Sequence, residues 1–261
     1  LISSDELSVL LSSSVSPSGT VYTLDSTGRI HAVPLVEIGR GVPTCIDRLQ
    51  DHFQQSLPGW GDIVAGDDKL LVSNGYRRTI HVLSTDGRIM DSIKLGTYSS
   101  AMTDFLSDPT IVATAEGSEV VLYDIRSGNH EGKGAQRYFM GKEKLLAITE
   151  GAVPNQIIAS GYSRSLAFLD IRSGRLGPQM CAHTKYEVNF IHNETYPNTT
   201  ESSETAKNVS FVTGIDAELK VIDMNTKDVI GSAYADDCWS GRPTAQNGVF
   251  AGVSVRGSLL V

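Results

Sequence analysis

The sequence predicts an all-β fold of repeated antiparallel sheets, and three observations carry the prediction. A pentapeptide, Asp-Ile-Arg-Ser-Gly, is written twice, at 124–128 and again at 170–174. The runs around both copies alternate apolar and polar positions with period two, as strands with one face against a neighbouring layer do. Composition agrees: 25 glycines and a hydrophobic share of 40% suit many short strands joined by tight turns better than an α/β enzyme.

The first unit in chain order pairs Leu7-Ser-Val-Leu-Leu-Ser-Ser13 with Val21-Tyr-Thr-Leu-Asp-Ser-Thr-Gly-Arg-Ile30. A second repeats the plan as Lys69-Leu-Leu-Val-Ser73 and Ile80-His-Val-Leu-Ser-Thr-Asp-Gly-Arg-Ile89, with the same Gly-Arg-Ile turn and an outer strand over Arg88–Leu95. The third sets Thr110–Thr114 before Leu122-Tyr-Asp124, and the fourth sets Gln156–Ser160 before Phe168-Leu-Asp170. In the fifth, Val209–Thr213 precedes Leu219-Lys-Val-Ile-Asp223, with an outer strand at Val229–Ala233; a sixth starts at Gly248–Ser254. Asp124, Asp170 and Asp223 each close an inner strand in this reading, and Ser127-Gly128 and Ser173-Gly174 turn the chain outward.

The anchor positions 25, 84, 124, 170 and 223 are separated by 59, 40, 46 and 53 residues. The shortest spacing fits the ~40–45 residues of a four-stranded propeller blade, and the longer ones are read as that unit plus loop insertions. The expectation is a β-propeller of four-stranded antiparallel blades, six or seven in number with at least five visible. It forms one domain over residues 1–261, expected to be a piece of something longer, with a polar loop insertion at 193–208. Radial repetition would bury both faces of every sheet and leave few exposed edges.

Two further stretches point to a family. Ala182-His183-Thr-Lys-Tyr-Glu-Val188 is similar to a blade-opening Gly-His motif, and Thr213-Gly-Ile-Asp216 followed by Val221-Ile-Asp223 is similar to an inner turn with a closing Asp. On these residues the chain resembles the WD-repeat (WD40-like) β-propellers, in divergent form: Leu24, Tyr123, Leu169 or Ile222 stands where the family has Trp. The resemblance implies that His183, Thr213 and Asp216 form a buried hydrogen-bond chain that fixes blade packing. It also implies a protein that binds other proteins or peptide segments.

A net charge of −8 and a pI near 5.2 provide no global field to attract nucleic acid or an anionic membrane surface, so direct nucleic-acid binding is disfavoured. Membrane insertion is not expected, because no apolar run approaches the ~20 residues that a spanning helix needs. Cys45, Cys181 and Cys238 are few, odd in number and dispersed, which suits an intracellular site, cytoplasmic or nuclear. The sequons at Asn193, Asn198 and Asn208 lie in a Thr/Ser-rich stretch where such matches arise readily.

Tests for chemistry come out against it. Gly128-Asn-His-Glu-Gly132-Lys-Gly134 lacks both the spacing and the hydroxyl of a phosphate-cradling loop. Gly161-Tyr-Ser163-Arg-Ser165 lacks the final Gly of a nucleophile elbow and runs on into a strand. Cys181, His183 and His192 have no evident fourth partner for a metal. No catalytic residue, metal or cofactor is therefore expected.

The sharpest functional candidates are Arg126 and Arg172. Tyr123-Asp-Ile-Arg126 and Leu169-Asp-Ile-Arg172 resemble the W-D-x-R box of propellers that act as substrate receptors for cullin-RING ubiquitin ligases, where an exposed Arg meets an adaptor carboxylate. The plainer reading is that each Asp caps its turn while the Arg stem packs on the blade edge. The leading expectation is a non-catalytic interaction scaffold, a subunit of a hetero-oligomeric assembly. The ligase receptor is one alternative, and an enzyme or cofactor-binding propeller is another.

Overall fold

The computed structural model describes residues 10–34, 44–48, 61–74, 77–103, 108, 110–126, 136–196, 207–239, 243–246, 249–254, 256 and 259–260. All of its regular elements are strands. Blade 1 contains β1 (Leu10–Val15), β2 (Thr20–Asp25), β3 (Arg29–Pro34) and β4 (Thr44–Arg48), and blade 2 contains β5 (Gly61–Ala65), β6 (Lys69–Asn74), β7 (Thr79–Ser84) and β8 (Ile89–Lys94). Blade 3 has β9 (Ser99–Met102), β10 (Ile111–Glu116), β11 (Glu119–Asp124) and β12 (Gln136–Phe139). In blade 4, β13 (Leu145–Glu150), β14 (Gln156–Gly161) and β15 (Ser165–Asp170) are followed by an outer strand in two pieces, β16 (Arg175–Leu176) and β17 (Met180–Cys181). Blade 5 comprises β18 (Val188–Tyr196), β19 (Lys207–Gly214), β20 (Glu218–Asp223) and β21 (Val229–Tyr234), and a three-stranded sixth sheet has β22 (Thr244–Gln246), β23 (Val249–Val253) and β24 (Leu259–Leu260).

Every pairing within a sheet is antiparallel, and the first strands β1, β5, β9, β13, β18 and β22 lie against one another in that order. β22 also touches β1, so among the described residues the inner strands close a ring of six sheets. Among the described residues no helix is long and apolar enough to cross a membrane.

Period two in the sequence explains how the blades stack. Along β11, Val121 and Tyr123 pack with Leu71, Ile80 and Val82 of blade 2, whereas Val120 and Leu122 pack with Ile148, Ile157 and Leu169 of blade 4. Successive side chains point to opposite faces, so one strand serves two interfaces. Similar clusters join blades 1 and 2, blades 4 and 5, and blade 5 to the sixth sheet, where Phe211 and Leu219 meet Trp239 and Phe250. Each fully buried large side chain contributes roughly 1.5–3 kcal/mol, which lets thin blades hold together as a stack.

The anchors behave as turn-formers, with one correction of phase. Ser84, Asp124, Asp170 and Asp223 end the third strand of their blades, but Asp25 ends β2, the second strand of blade 1. The spacing of 59 residues is thus one blade plus one strand, not one blade plus a loop insertion. The likeness between 21–30 and 80–89 is local turn chemistry: the N–H of Gly28 donates to the Asp25 carbonyl at 3.0 Å and that of Gly87 to the Ser84 carbonyl at 2.9 Å. Both glycines adopt positive φ, 78° and 91°, which only Gly takes without strain.

The polar insertion is also shorter than expected. Asn193–Tyr196 and Lys207–Asn208 continue β18 and β19 as a long hairpin, held partly by polar cross-strand pairs. Thr195 Oγ1 donates to Asn208 Oδ1 at 2.8 Å and Ser210 Oγ to Asn193 Oδ1 at 2.9 Å, so hydroxyl and amide side chains sustain the ladder where apolar ones are missing. Asn198, Ser127-Gly128, Gly128–Gly134 and the start of the sixth unit at Gly248 lie outside the described residues.

Candidate functional site

The meander sends its connections to two faces of the ring. Among the described turns, those joining second to third strands and those joining an outer strand to the next inner one lie on what we call the upper face, and the others lie on the lower face. Between the faces the inner strands line a channel whose cavity is about 50 Å³, bordered by Ser12, Asp62, Met102, Thr149, His192 and Pro243 among others.

Asp62 organises that channel. It is 4% exposed, and its Oδ1 accepts from the Ser12 hydroxyl at 2.6 Å while Oδ2 accepts from the Met102 N–H at 2.8 Å. One carboxylate on β5 therefore joins the inner strands of blades 1, 2 and 3. His192 lies parallel to Phe190, with ring centroids 6.5 Å apart, and pairs through Nε2 with Glu194 Oε1 at 3.2 Å.

The residues considered for a metal are not brought together. Cys181 and His183 are exposed on the rim of blade 4, where the His183 N–H points to the Cys181 sulfur at 3.4 Å, whereas His192 faces the channel. Among the described residues no cluster of three His, Cys, Asp or Glu could hold a metal ion.

The hydrogen-bond chain implied for His183, Thr213 and Asp216 takes a different form. His183 is exposed at φ 57°, while buried Thr213 donates to Asn189 Oδ1 at 2.6 Å and Asp216 accepts from the Glu218 N–H at 3.2 Å. Two carboxylates that the sequence reading did not single out satisfy the blade interior instead. Glu116, 2% exposed, accepts from the Tyr123 hydroxyl at 2.6 Å, the Thr97 N–H at 3.0 Å and the Thr114 hydroxyl at 3.1 Å. Burial, then the adjoining Glu116, pushes the Tyr123 hydroxyl well above its ordinary pKa, so it stays a donor. Glu218, 5% exposed, accepts from the Lys185 N–H at 2.9 Å, the Tyr234 hydroxyl at 3.0 Å and the Lys220 ammonium at 2.9 Å. A Glu beside the turn before a third strand was the available signal.

On the lower face the two Asp-Ile-Arg boxes differ. Asp124 accepts the Arg126 backbone N–H at 2.9 Å and also binds its guanidinium in a fork, Nε at 3.0 Å and Nη2 at 2.7 Å. That hydrogen bond and charge hold the guanidinium pKa above its usual value. Asp170 accepts the Arg172 N–H at 2.9 Å but gives its other oxygen to the Ser173 hydroxyl at 3.0 Å, and these bonds hold its carboxyl below the usual range. Arg172 is exposed, and among the described residues its guanidinium has no hydrogen-bond partner. Asp223 caps its turn through the Asn225 N–H at 2.9 Å.

On the upper face the loops of blades 3 to 5 expose Tyr98, Tyr162, Tyr186 and Ile215, at 60%, 49%, 42% and 47%. Hydrogen bonds tie neighbouring loops together. The Tyr162 N–H donates to the Lys144 carbonyl at 3.1 Å, Arg164 Nη1 to the Lys185 carbonyl at 3.0 Å, and the Ile215 N–H to the Glu187 carbonyl at 2.9 Å.

No family model matches the chain, and no curated protein does. Among solved structures, a chain in the crystal structure of a mitotic checkpoint complex superposes with a TM-score of 0.64, over 94% of this chain and 70% of its own, at 7% sequence identity. At that identity the likeness is one of architecture, and the architecture is a β-propeller of four-stranded antiparallel blades.

Proposed function

We propose that the chain is a non-catalytic interaction platform of WD-repeat type, a subunit of a larger hetero-oligomeric assembly in the cytoplasm or nucleus. The observation that carries the reading is the contrast between channel and faces. The channel cavity, about 50 Å³, holds a few water molecules and falls far below the roughly 300–1,000 Å³ of a ligand pocket. The upper face, in contrast, presents large exposed aromatic and aliphatic side chains on loops held by a rigid ring. Among the described residues Cys45, Cys181 and Cys238 form no disulfide, which is consistent with a reducing compartment. The propeller neighbour, itself part of a multiprotein complex by its title, agrees with this role.

The test is co-purification of the tagged full-length chain from its native source, with alanine substitutions across the loops of one face or the other. Partners should be lost while the ring still unfolds cooperatively. Complexes that survive broad substitution of both faces, or a metal or chromophore retained after dialysis, would count against the proposal.

One observation favours the ligase-receptor alternative in a narrower form. Among the described residues the Arg172 guanidinium makes no hydrogen bond and can meet a carboxylate, whereas that of Arg126 is held by Asp124. Arg172→Glu should then abolish recovery of an adaptor and Arg126→Glu should matter less; unchanged recovery with both reversed would remove this alternative.

A further inference from the structure

We infer that the upper face of blades 2 to 5 is a docking site for a short acidic peptide segment with interspersed apolar side chains, an inference that rests on the platform reading above. The chain carries a net charge of −8, yet the upper-face segments 77–78, 95–98, 117–118, 140–144, 162–164, 182–187 and 215–217 hold six Lys or Arg against two Glu and one Asp. This sector therefore has the opposite sign to the molecule. Arg78, Lys142, Lys144, Arg164 and Lys185 are all exposed.

The cations alternate with the exposed rings, and the backbone sets the order. Lys144 is joined to Tyr162 through its carbonyl, and Arg164 to Lys185 through the guanidinium. The Lys185 ammonium lies 5.0 Å from the centroid of the Tyr186 ring. Ile215 follows, tied to Glu187. The positive arc ends there, because the next loops carry Asp216, Asp236 and Asp237, the last paired with Arg256 at 3.0 Å. An extended segment would meet ammonium and guanidinium groups for its carboxylates and phenol rings for its apolar side chains, and the acidic end of the arc would fix its direction.

A peptide fits this surface better than a polyanion does. A nucleic acid or a membrane is large enough to meet the field of the whole acidic molecule, while the carboxylates of a short segment interact within about 8–10 Å, where the local arc dominates.

The experiment measures fluorescence anisotropy of fluorescein-labelled short peptides rich in Asp and Glu with interspersed Leu and Phe. Matched Lys-rich peptides and a single-stranded oligodeoxynucleotide serve as comparisons. The acidic peptides should bind, more weakly as salt rises, and the double variant Lys142→Glu, Lys144→Glu should weaken binding by about tenfold or more with an unchanged thermal midpoint. Tyr162→Ala should weaken it severalfold, and Lys227→Glu on the lower face should leave it unaltered. The inference is overturned if no acidic peptide binds, if the Lys-rich peptides or the oligonucleotide bind as well, or if the double variant keeps full affinity. If native partners are lost on lower-face substitution alone, this inference falls while the platform reading stands.

Discussion

Replacing Asp62 by Ala tests whether one carboxylate couples three blades. The substitution leaves the Met102 N–H without its 2.8 Å acceptor and the Ser12 hydroxyl without its 2.6 Å acceptor, both at sites no more than 3% exposed. A hydroxyl can turn toward another acceptor, but a backbone N–H fixed in a strand cannot. A stranded buried donor costs about 1–3 kcal/mol and a lost hydrogen bond to a carboxylate about 1.5–3, while removing a buried charge returns part of that. The net expectation is about 2–4 kcal/mol of destabilisation. For a chain of this size, 3 kcal/mol corresponds to a fall of about 6–12 °C in Tm. Asp62→Asn should cost less, since its remaining oxygen keeps one acceptor. Urea unfolding followed by circular dichroism measures both, and a cycle with Ser12→Ala isolates the pair, for which about 1–2 kcal/mol of coupling is expected. If Asp62→Ala stays within about 0.5 kcal/mol of the wild type, or the cycle shows no coupling, the proposed role of Asp62 is wrong.

Three other outcomes follow from the same geometry. Tyr123→Phe removes a donor from buried Glu116 and should destabilise by about 1.5–3 kcal/mol in urea titrations. Because the folded pKa of Tyr123 is raised above 10.0, its contribution is full below that pH and is lost as the pH climbs through the folded value, so wild-type stability should drop more steeply in alkali than that of Tyr123→Phe. Burial acts to raise the Glu218 carboxyl, but Lys220, the Lys185 N–H and Tyr234 together hold it below 4.5; its contribution is present above that pH and is lost as acid protonates the folded form, so Glu218→Gln should flatten the acid limb of the stability profile. A Cβ at Gly161 would lie 2.8 Å from the Leu146 nitrogen and closer still to the Lys144 carbonyl, so Gly161→Ala must push β14 away from β13 and should lower the Tm or the soluble yield.

Local chemistry was legible where a residue acts on its near neighbours. The turn-forming Asp residues are an example: Asp124, Asp170 and Asp223 each accept the N–H two residues on. The same locality misled at Asp25, whose turn matches that of Ser84 in sequence yet belongs to a different step of the blade, since a tight turn carries no record of which strands it joins. It misled again at Asn193–Tyr196, where polar residues that read as a loop pair across a hairpin.

By itself the sequence determined the all-β class, the repeating meander and the identity of most second and third strands, because alternation and turn chemistry act over a few residues. Only the tertiary structure decided that, among the described residues, the inner strands close at six, that Glu116 and Glu218 satisfy the blade interior in place of His183, and that the Arg126 guanidinium is bonded to Asp124 while that of Arg172 makes no hydrogen bond. It also decided that a positive arc forms on an acidic protein. Those outcomes depend on which residues meet across blades dozens of positions apart, and on where an exposed side chain finds its partner, and neither is encoded in a periodicity.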